Sequence, residues 1–401
     1  MIRLTPLGTA VPPEVSAFLD WARDANPRVD LDVDSGVGAR GEAMSSTLVK
    51  GTHHITYCPG RAQEDVDFVT TVLGQRLVKQ TVLMDGSIPI HHLYYGNADA
   101  DIGSITTSFP YSRRAGRPGS GQIEATCYAV PSGATTFWRA HLDRYGVAHE
   151  GILERFGQRV IRLRHPAGLS FELTETVRDT RRPWTTSGIT ADVASRGFFG
   201  AVMSVRDVVE QERFLIDALG FRKVGVDGAY HRFSLPGGEF DHTIDLHHEP
   251  DRAPGSWVFG AGTFHHIAFH VETDAELVQQ KALYEELGYT DASEIKDRYY
   301  FHSMYVRSPG GILVECTANA PGGFFQDEAP DELGTKLHLP PWYEEQRADI
   351  IERLEPLDVP MEFRPRSGVL ATRPVVASSG GARPSAIPLS RTRAAFASKK
   401  R

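Results

Sequence analysis

The sequence predicts an α+β fold built from four consecutive β-α-β-β-β modules, and three observations carry that prediction. First, short β-like runs recur about every 60 to 75 residues: His54 to Tyr57, Ala125 to Tyr128, Ala201 to Ser204 and His266 to Phe269. Second, each run is followed by a helical stretch that stops at a glycine. These stretches are 63–73 before Gly74, 134–145 before Gly146, 208–219 before Gly220 and 275–287 before Gly288. A glycine just past a helix takes the left-handed conformation that ends it. Third, the last strand-like run of two modules opens on the same turn. His165-Pro166-Ala167-Gly168 leads to Glu172, and Ser308-Pro309-Gly310-Gly311 leads to Glu315. Proline fixes φ and the following glycine permits positive φ, so each turn has a mechanism.

In chain order, residues 1–50 read as an irregular N-terminal extension. The modules follow at 51–118, 119–180, 190–252 and 262–322. A C-terminal segment spans 323–364, and 365–401 reads as a disordered basic tail. The formal net charge is −8, yet from Arg364 onward there are nine Lys/Arg and no Asp/Glu, so the remainder carries −17. An acidic body repels polyanions, which argues against nucleic acid or phosphate-rich partners and for a small neutral or metal-bound substrate. Three cysteines (Cys58, Cys127, Cys316) do not suggest a disulfide framework and fit a reducing cytoplasm. Neither a basic-then-apolar leader nor an 18-residue apolar run is present, so no membrane association is expected. The oligomeric state is left open, a homo-oligomer included.

The modules differ where chemistry can sit. Two opening strands carry paired imidazoles, His53-His54 and His265-His266. The equivalent places in modules two and three read Glu124-Ala125 and Phe198-Phe199. Closing strands offer Glu172 and Glu315, Asp245 in the third module, and Thr106, Thr107 and Ser108 in the first. Only module four has both a strand-one His and a closing-strand Glu, and only module one can add a second His. Two imidazoles and one carboxylate on one face of a metal leave about three positions open, the donor set of non-haem iron(II) enzymes. His54, His266 and Glu315 are therefore the expected ligands. Because adjacent strand residues point to opposite faces, His53 and His265 are expected to face elsewhere or reach in from the rim. Glu172 reads as a structural relic of duplication. His247-His248-Glu249, at a strand end before Pro250, reads as a surface or loop anchor, and at most one of His91 and His92 points inward.

At this point the chain resembles a known family. Its opening Leu48-Val49-Lys50-Gly51-Thr52-His53-His54-Ile55-Thr56 is similar to that of the vicinal oxygen chelate ring-cleaving dioxygenases, and in particular to the hydroquinone 1,2-dioxygenases. Gly74 to Lys79, Asp85 to Ile90, Arg155 to Arg159, His248 to Arg252 and Tyr305 to Gly311 carry the same likeness, over roughly residues 51–330. The resemblance implies the vicinal oxygen chelate fold, in which the four modules form two curved mixed sheets. It implies an iron(II) centre on His54, His266 and Glu315, with manganese(II) accepted by the same donors. His53, Thr56, His265, Arg298 and Tyr305 are the neighbouring catalytic residues it implies, and the implied reaction is O₂-dependent cleavage of a substituted hydroquinone beside a hydroxylated carbon. An extradiol catechol dioxygenase, a glyoxalase-like isomerase or lyase, and a drug-binding module of the same fold stay open, because fold alone does not choose among them.

Overall fold

In a computed structural model, residues 48–359 are described, apart from 86, 238, 239 and 241. The N-terminal extension, nearly all of it, and the basic tail lie outside the described residues. Among the described residues, sixteen strands form two eight-stranded mixed sheets. Module one supplies β1 (Gly51–Cys58), β2 (Arg76–Asp85), β3 (Ile88–Gly96) and β4 (Ile105–Ser108). Module four supplies β13 (Thr263–His270), β14 (Lys296–Asp297), β15 (Phe301–Arg307) and β16 (Leu313–Asn319). These eight make the first sheet, in the order β14-β15-β16-β13-β1-β4-β3-β2. The second sheet joins modules two and three. Its strands are β5 (Gln122–Pro131), β6 (His149–Arg155), β7 (Gln158–Arg164), β8 (Ser170–Thr176), β9 (Gly197–Val205), β10 (Arg222–Asp227), β11 (Tyr230–Ser234) and β12 (Thr243–His248). The outer two modules thus share one sheet and the inner two share the other.

The helices stop where the glycines predict. α1 (Ala62–Asp67) runs into a π turn at Phe68–Val72, α2 is Ala134–Tyr145, α3 (Val208–Arg213) runs into a π turn at Phe214–Ala218, and α4 is Asp274–Glu286. Gly74, Gly146, Gly220 and Gly288 all have positive φ, between 64° and 92°. Thr273 caps α4 in a reciprocal capping box with Glu276. One large apolar core takes side chains from both sheets and from the helices, among them Tyr57, Trp138, Phe171 and Phe264. A buried carboxylate ties the sheets together. Asp65 accepts hydrogen bonds from Tyr57 and Tyr95 at 2.8 and 2.7 Å and from Ser108 at 2.6 Å, and lies 3.2 Å from His165 of the β7–β8 turn. After β16 the chain runs back along β2. His338 N donates to Gln80 O, and the fully buried Lys79 pairs with Asp327 and Glu328. That course brings the 3-10 helix Pro341–Gln346, and with it Trp342, to the concave side of the first sheet. No helix among the described residues is long and apolar enough to cross a membrane.

Candidate metal centre

The register of the first sheet gathers the candidate residues on one face. His54 of β1 lies opposite Ala268 of β13, which pairs with Glu315 of β16, which in turn faces Tyr305 of β15. Two residues along, Thr56 lies opposite His266 and beside Thr107. The result is a convergence of ligand atoms. His54 Nε2 is 3.0 Å from His266 Nε2, and Glu315 Oε2 is 2.7 Å from His266 Nε2 and 3.4 Å from His54 Nε2. All three side chains are buried.

The paired histidines correct the strict alternation expected of a strand. The β1–β13 register slips between Thr52 and His54, leaving His53 as an extra residue in β1. It slips again between Thr56 and Tyr57, leaving His265 as an extra residue in β13. A bulge re-aims the added side chain. His53 and His265 therefore turn against their own neighbours instead of away from them. His53 Nδ1 is 2.8 Å from His54 Nδ1, and His265 Nδ1 is 2.6 Å from His266 Nδ1. His53 Nε2 is 2.8 Å from the amide oxygen of Asn319, so the network assigns the protons. His53 carries its proton on Nε2, accepts at Nδ1, and obliges His54 to donate from Nδ1. The His265–His266 contact repeats this geometry, and in the tautomer that frees His266 Nε2 for a ligand His266 donates from Nδ1 to His265.

That assignment is a test of fit for a cation. Both Nε2 atoms then present lone pairs toward one carboxylate oxygen, and Glu315 Oε2 has no hydrogen-bond partner. Three acceptors crowd one point in a buried place, with the Thr56 hydroxyl, 2.9 Å from His266 Nε2, the nearest donor. A divalent ion resolves this crowding. The protonation states suit it. Burial holds His266 below its ordinary value and takes His53 and His265 down to about 3, so all three imidazoles are neutral at pH 7.

A cavity of about 550 Å³ opens over this face. On one side Arg298 Nη2 donates to the Tyr305 hydroxyl at 3.3 Å, and Arg298 Nε is buried without a partner. Tyr305 packs edge-on against His266, with ring centroids 5.5 Å apart, and burial raises its pKa, with Glu315 adding to the rise. The other side carries residues that the sequence left undecided or unnoticed. His92, not His91, lines the cavity, with Thr81 and Tyr94 beside it, while His91 Nε2 bonds to the Glu355 carbonyl. Alternation along β3 was the available signal, since His92 and Tyr94 share the face of Thr107. Phe109, Phe259 and Trp342 supply apolar walls.

The second sheet repeats the geometry without the ligands. Its register places Ala125 where β13 has His266 and Gly200 where β1 has His54, one residue beyond the Phe198-Phe199 position that simple alignment suggests. A Cβ on Gly200 would lie 1.8 Å from Thr243 O, so no imidazole fits there. Glu172 does occupy the place of Glu315, across from Cys127. Arginine surrounds it. Arg155 Nη1 and Arg162 Nε donate to Glu172 at 3.1 and 2.8 Å, and Arg232 grips Asp245 through two bonds of 2.7 and 2.8 Å. Burial works against the Glu172 carboxylate, but Arg155 and Arg162 hold its pKa at about 2. Glu124, His247 and Glu249 also cluster, yet Arg162 and Arg252 pair with their carboxylates at 2.7 and 2.5 Å. That cluster anchors a strand end.

Fold and candidate site together give paired βαβββ modules with one buried group of candidate metal ligands on the first sheet, and comparison with known proteins gives the family. Residues 198–316 match the Glyoxalase/Bleomycin resistance protein/Dioxygenase superfamily. The chlorohydroquinone/hydroquinone 1,2-dioxygenase of Sphingobium indicum is 38% identical over 313 residues, covering 76% of this chain and 96% of that protein. A Bacillus subtilis protein, MhqO, named among ring-cleaving dioxygenases, is 37% identical, covering 77% and 97%. A crystal structure of a Bacillus subtilis dioxygenase-type protein superposes with a TM-score of 0.73 at 37% identity, covering 78% and 98%. Glyoxalase I from Zea mays, at 16% identity and a TM-score of 0.50 over 67% and 92%, shares the fold. The chain belongs to the ring-cleaving dioxygenases of this superfamily.

Proposed function

We propose that the protein cleaves the ring of a para-hydroquinone, substituted or not, beside a hydroxylated carbon, using a metal held by His54, His266 and Glu315. The observation that carries this reading is the buried two-imidazole, one-carboxylate convergence on the floor of the cavity. The 38% identity to a hydroquinone 1,2-dioxygenase supports the substrate class. Held by His54, His266 and Glu315, iron(II) would supply electron relay between a phenol and dioxygen, and manganese(II) would suit the same donors.

The chain's own groups do the rest. His53 and His265 lock the ligating tautomers and aim both rings. The Tyr305 hydroxyl, close above Glu315, holds the phenolic oxygen and returns a proton as the ring opens. Arg298, with a free Nε, faces the negative charge that develops on the substrate oxygens. Thr56 holds its place by sharing a hydrogen bond with Thr107 at 2.7 Å. Phe109, Phe259 and Trp342 sandwich the ring and keep water from the reacting face. The test is oxygen uptake by anaerobically iron-loaded protein given hydroquinone or catechol. Uptake with hydroquinone well above that with catechol supports the reading. Activity under nitrogen, or uptake with catechol alone, overturns it.

A further inference from the structure

We propose that Thr81 and His92 form a second polar pole in the cavity, which receives the ring hydroxyl that lies away from the metal and so selects para-diols. This rests on the function proposed above. The two residues face each other directly across β2 and β3, and both line the cavity. In the strand order they stand on the opposite flank from Tyr305 of β15, with His54, His266 and Glu315 on three of the four strands between.

Thr81 is 3% exposed, and its hydroxyl is buried without a hydrogen-bond partner. Other buried hydroxyls among the described residues also lack partners, but Thr81 is the one that lines this cavity. A buried hydroxyl facing nothing carries a desolvation cost that valine, of nearly the same shape, would not. Its retention beside a ligand cavity points to a partner that arrives with the ligand. His92 complements it. The Tyr94 hydroxyl lies 3.1 Å from His92 Nδ1, and the ring is packed by Tyr94 and Phe109 at centroid distances of 4.3 and 4.6 Å. With Tyr94 donating to Nδ1, the neutral ring keeps its proton on Nε2. A phenolic hydroxyl both donates and accepts, so it can donate to Thr81 Oγ1 and accept from His92 Nε2. A phenol reaches only the metal pole. A catechol places its second hydroxyl next to the first, away from Thr81 and His92. A para-diol spans both.

The experiment is anaerobic equilibrium dialysis of hydroquinone and of phenol against metal-loaded wild type, Thr81→Val, Thr81→Ser and His92→Phe, with the thermal midpoint of each protein. The expected result is that Thr81→Val weakens hydroquinone about 5- to 10-fold, the loss of one hydrogen bond, and leaves phenol within about twofold. Thr81→Ser keeps wild-type selectivity, His92→Phe loses it, and Thr81→Val unfolds at the wild-type temperature or above. Equal weakening of both ligands by Thr81→Val, or weakening of neither, overturns the pole. So does a wild type that binds phenol as tightly as hydroquinone, and in that case the cleavage reading is still judged separately by oxygen uptake. A wild type that binds neither ligand overturns both.

Discussion

His53 offers a direct probe of how the bulges serve the metal. Replacing it with phenylalanine removes the acceptor that the His54 Nδ1–H now meets at 2.8 Å. His53 is 0% exposed and His54 2%, so water does not substitute. The penalty falls unevenly. Without metal, the His54 ring can shift its proton to Nε2 and donate to the Glu315 carboxylate, 3.4 Å away. With metal, Nε2 is a ligand and the Nδ1–H is left unpaired in the interior. An unsatisfied buried donor costs about 1–3 kcal/mol, or roughly 5- to 150-fold in metal affinity. His53→Asn retains an acceptor oxygen near the position of Nδ1 and is expected to recover most of the loss. Competition against a chromophoric chelator under anaerobic conditions measures the affinity without any turnover. A His53→Phe protein that binds iron(II) or manganese(II) within twofold of wild type would refute the tautomer-locking account.

Glu172→Gln is expected to destabilise the fold by about 3–5 kcal/mol, because it leaves the buried Arg155 and Arg162 short of their counter-charge, while metal affinity stays within about twofold. Urea denaturation and the same chelator competition check both halves. Tyr305→Phe keeps the ring against His266 and removes the proton, so kcat should fall about 100-fold with metal content unchanged, as steady-state kinetics and metal analysis will show. The stability of the metal-free protein should fall on acidification. His53 and His265 have folded pKa values near 3, below the unfolded value of 6.5, so the unfolded chain takes up protons first. The loss begins near pH 6.5, grows by about 1.4 kcal/mol per pH unit for each histidine, and levels off near pH 3. Urea midpoints at pH 7, 6 and 5 read the slope, and a flat profile contradicts it.

Module count and helix ends were legible because they rest on local signals: a Gly at each helix end and a Pro-Gly turn before a closing strand. The likeness of His53-His54 to His265-His266 was legible as repetition. The sequence did not show why both members of each pair matter, because a bulge is a property of two paired strands and appears only when β1 meets β13. Glu172 could be set apart by the missing histidines. The three arginines that neutralise its sheet come from β6, β7 and β11 and could not be brought together by spacing alone. His92 was one of two candidates until β3 acquired a face. Thr81 carried no signal at all, since an unpaired hydroxyl is visible only once every neighbour has a position.

The most direct test of the central claim is the mass of the product formed from hydroquinone under isotopically labelled dioxygen, with wild-type and Glu315→Gln proteins loaded with iron(II) in parallel. The account predicts an open-chain product heavier than its substrate by one dioxygen and carrying the label, and none from Glu315→Gln. A product with the substrate's own mass, or labelled product formed equally well by Glu315→Gln, would contradict it.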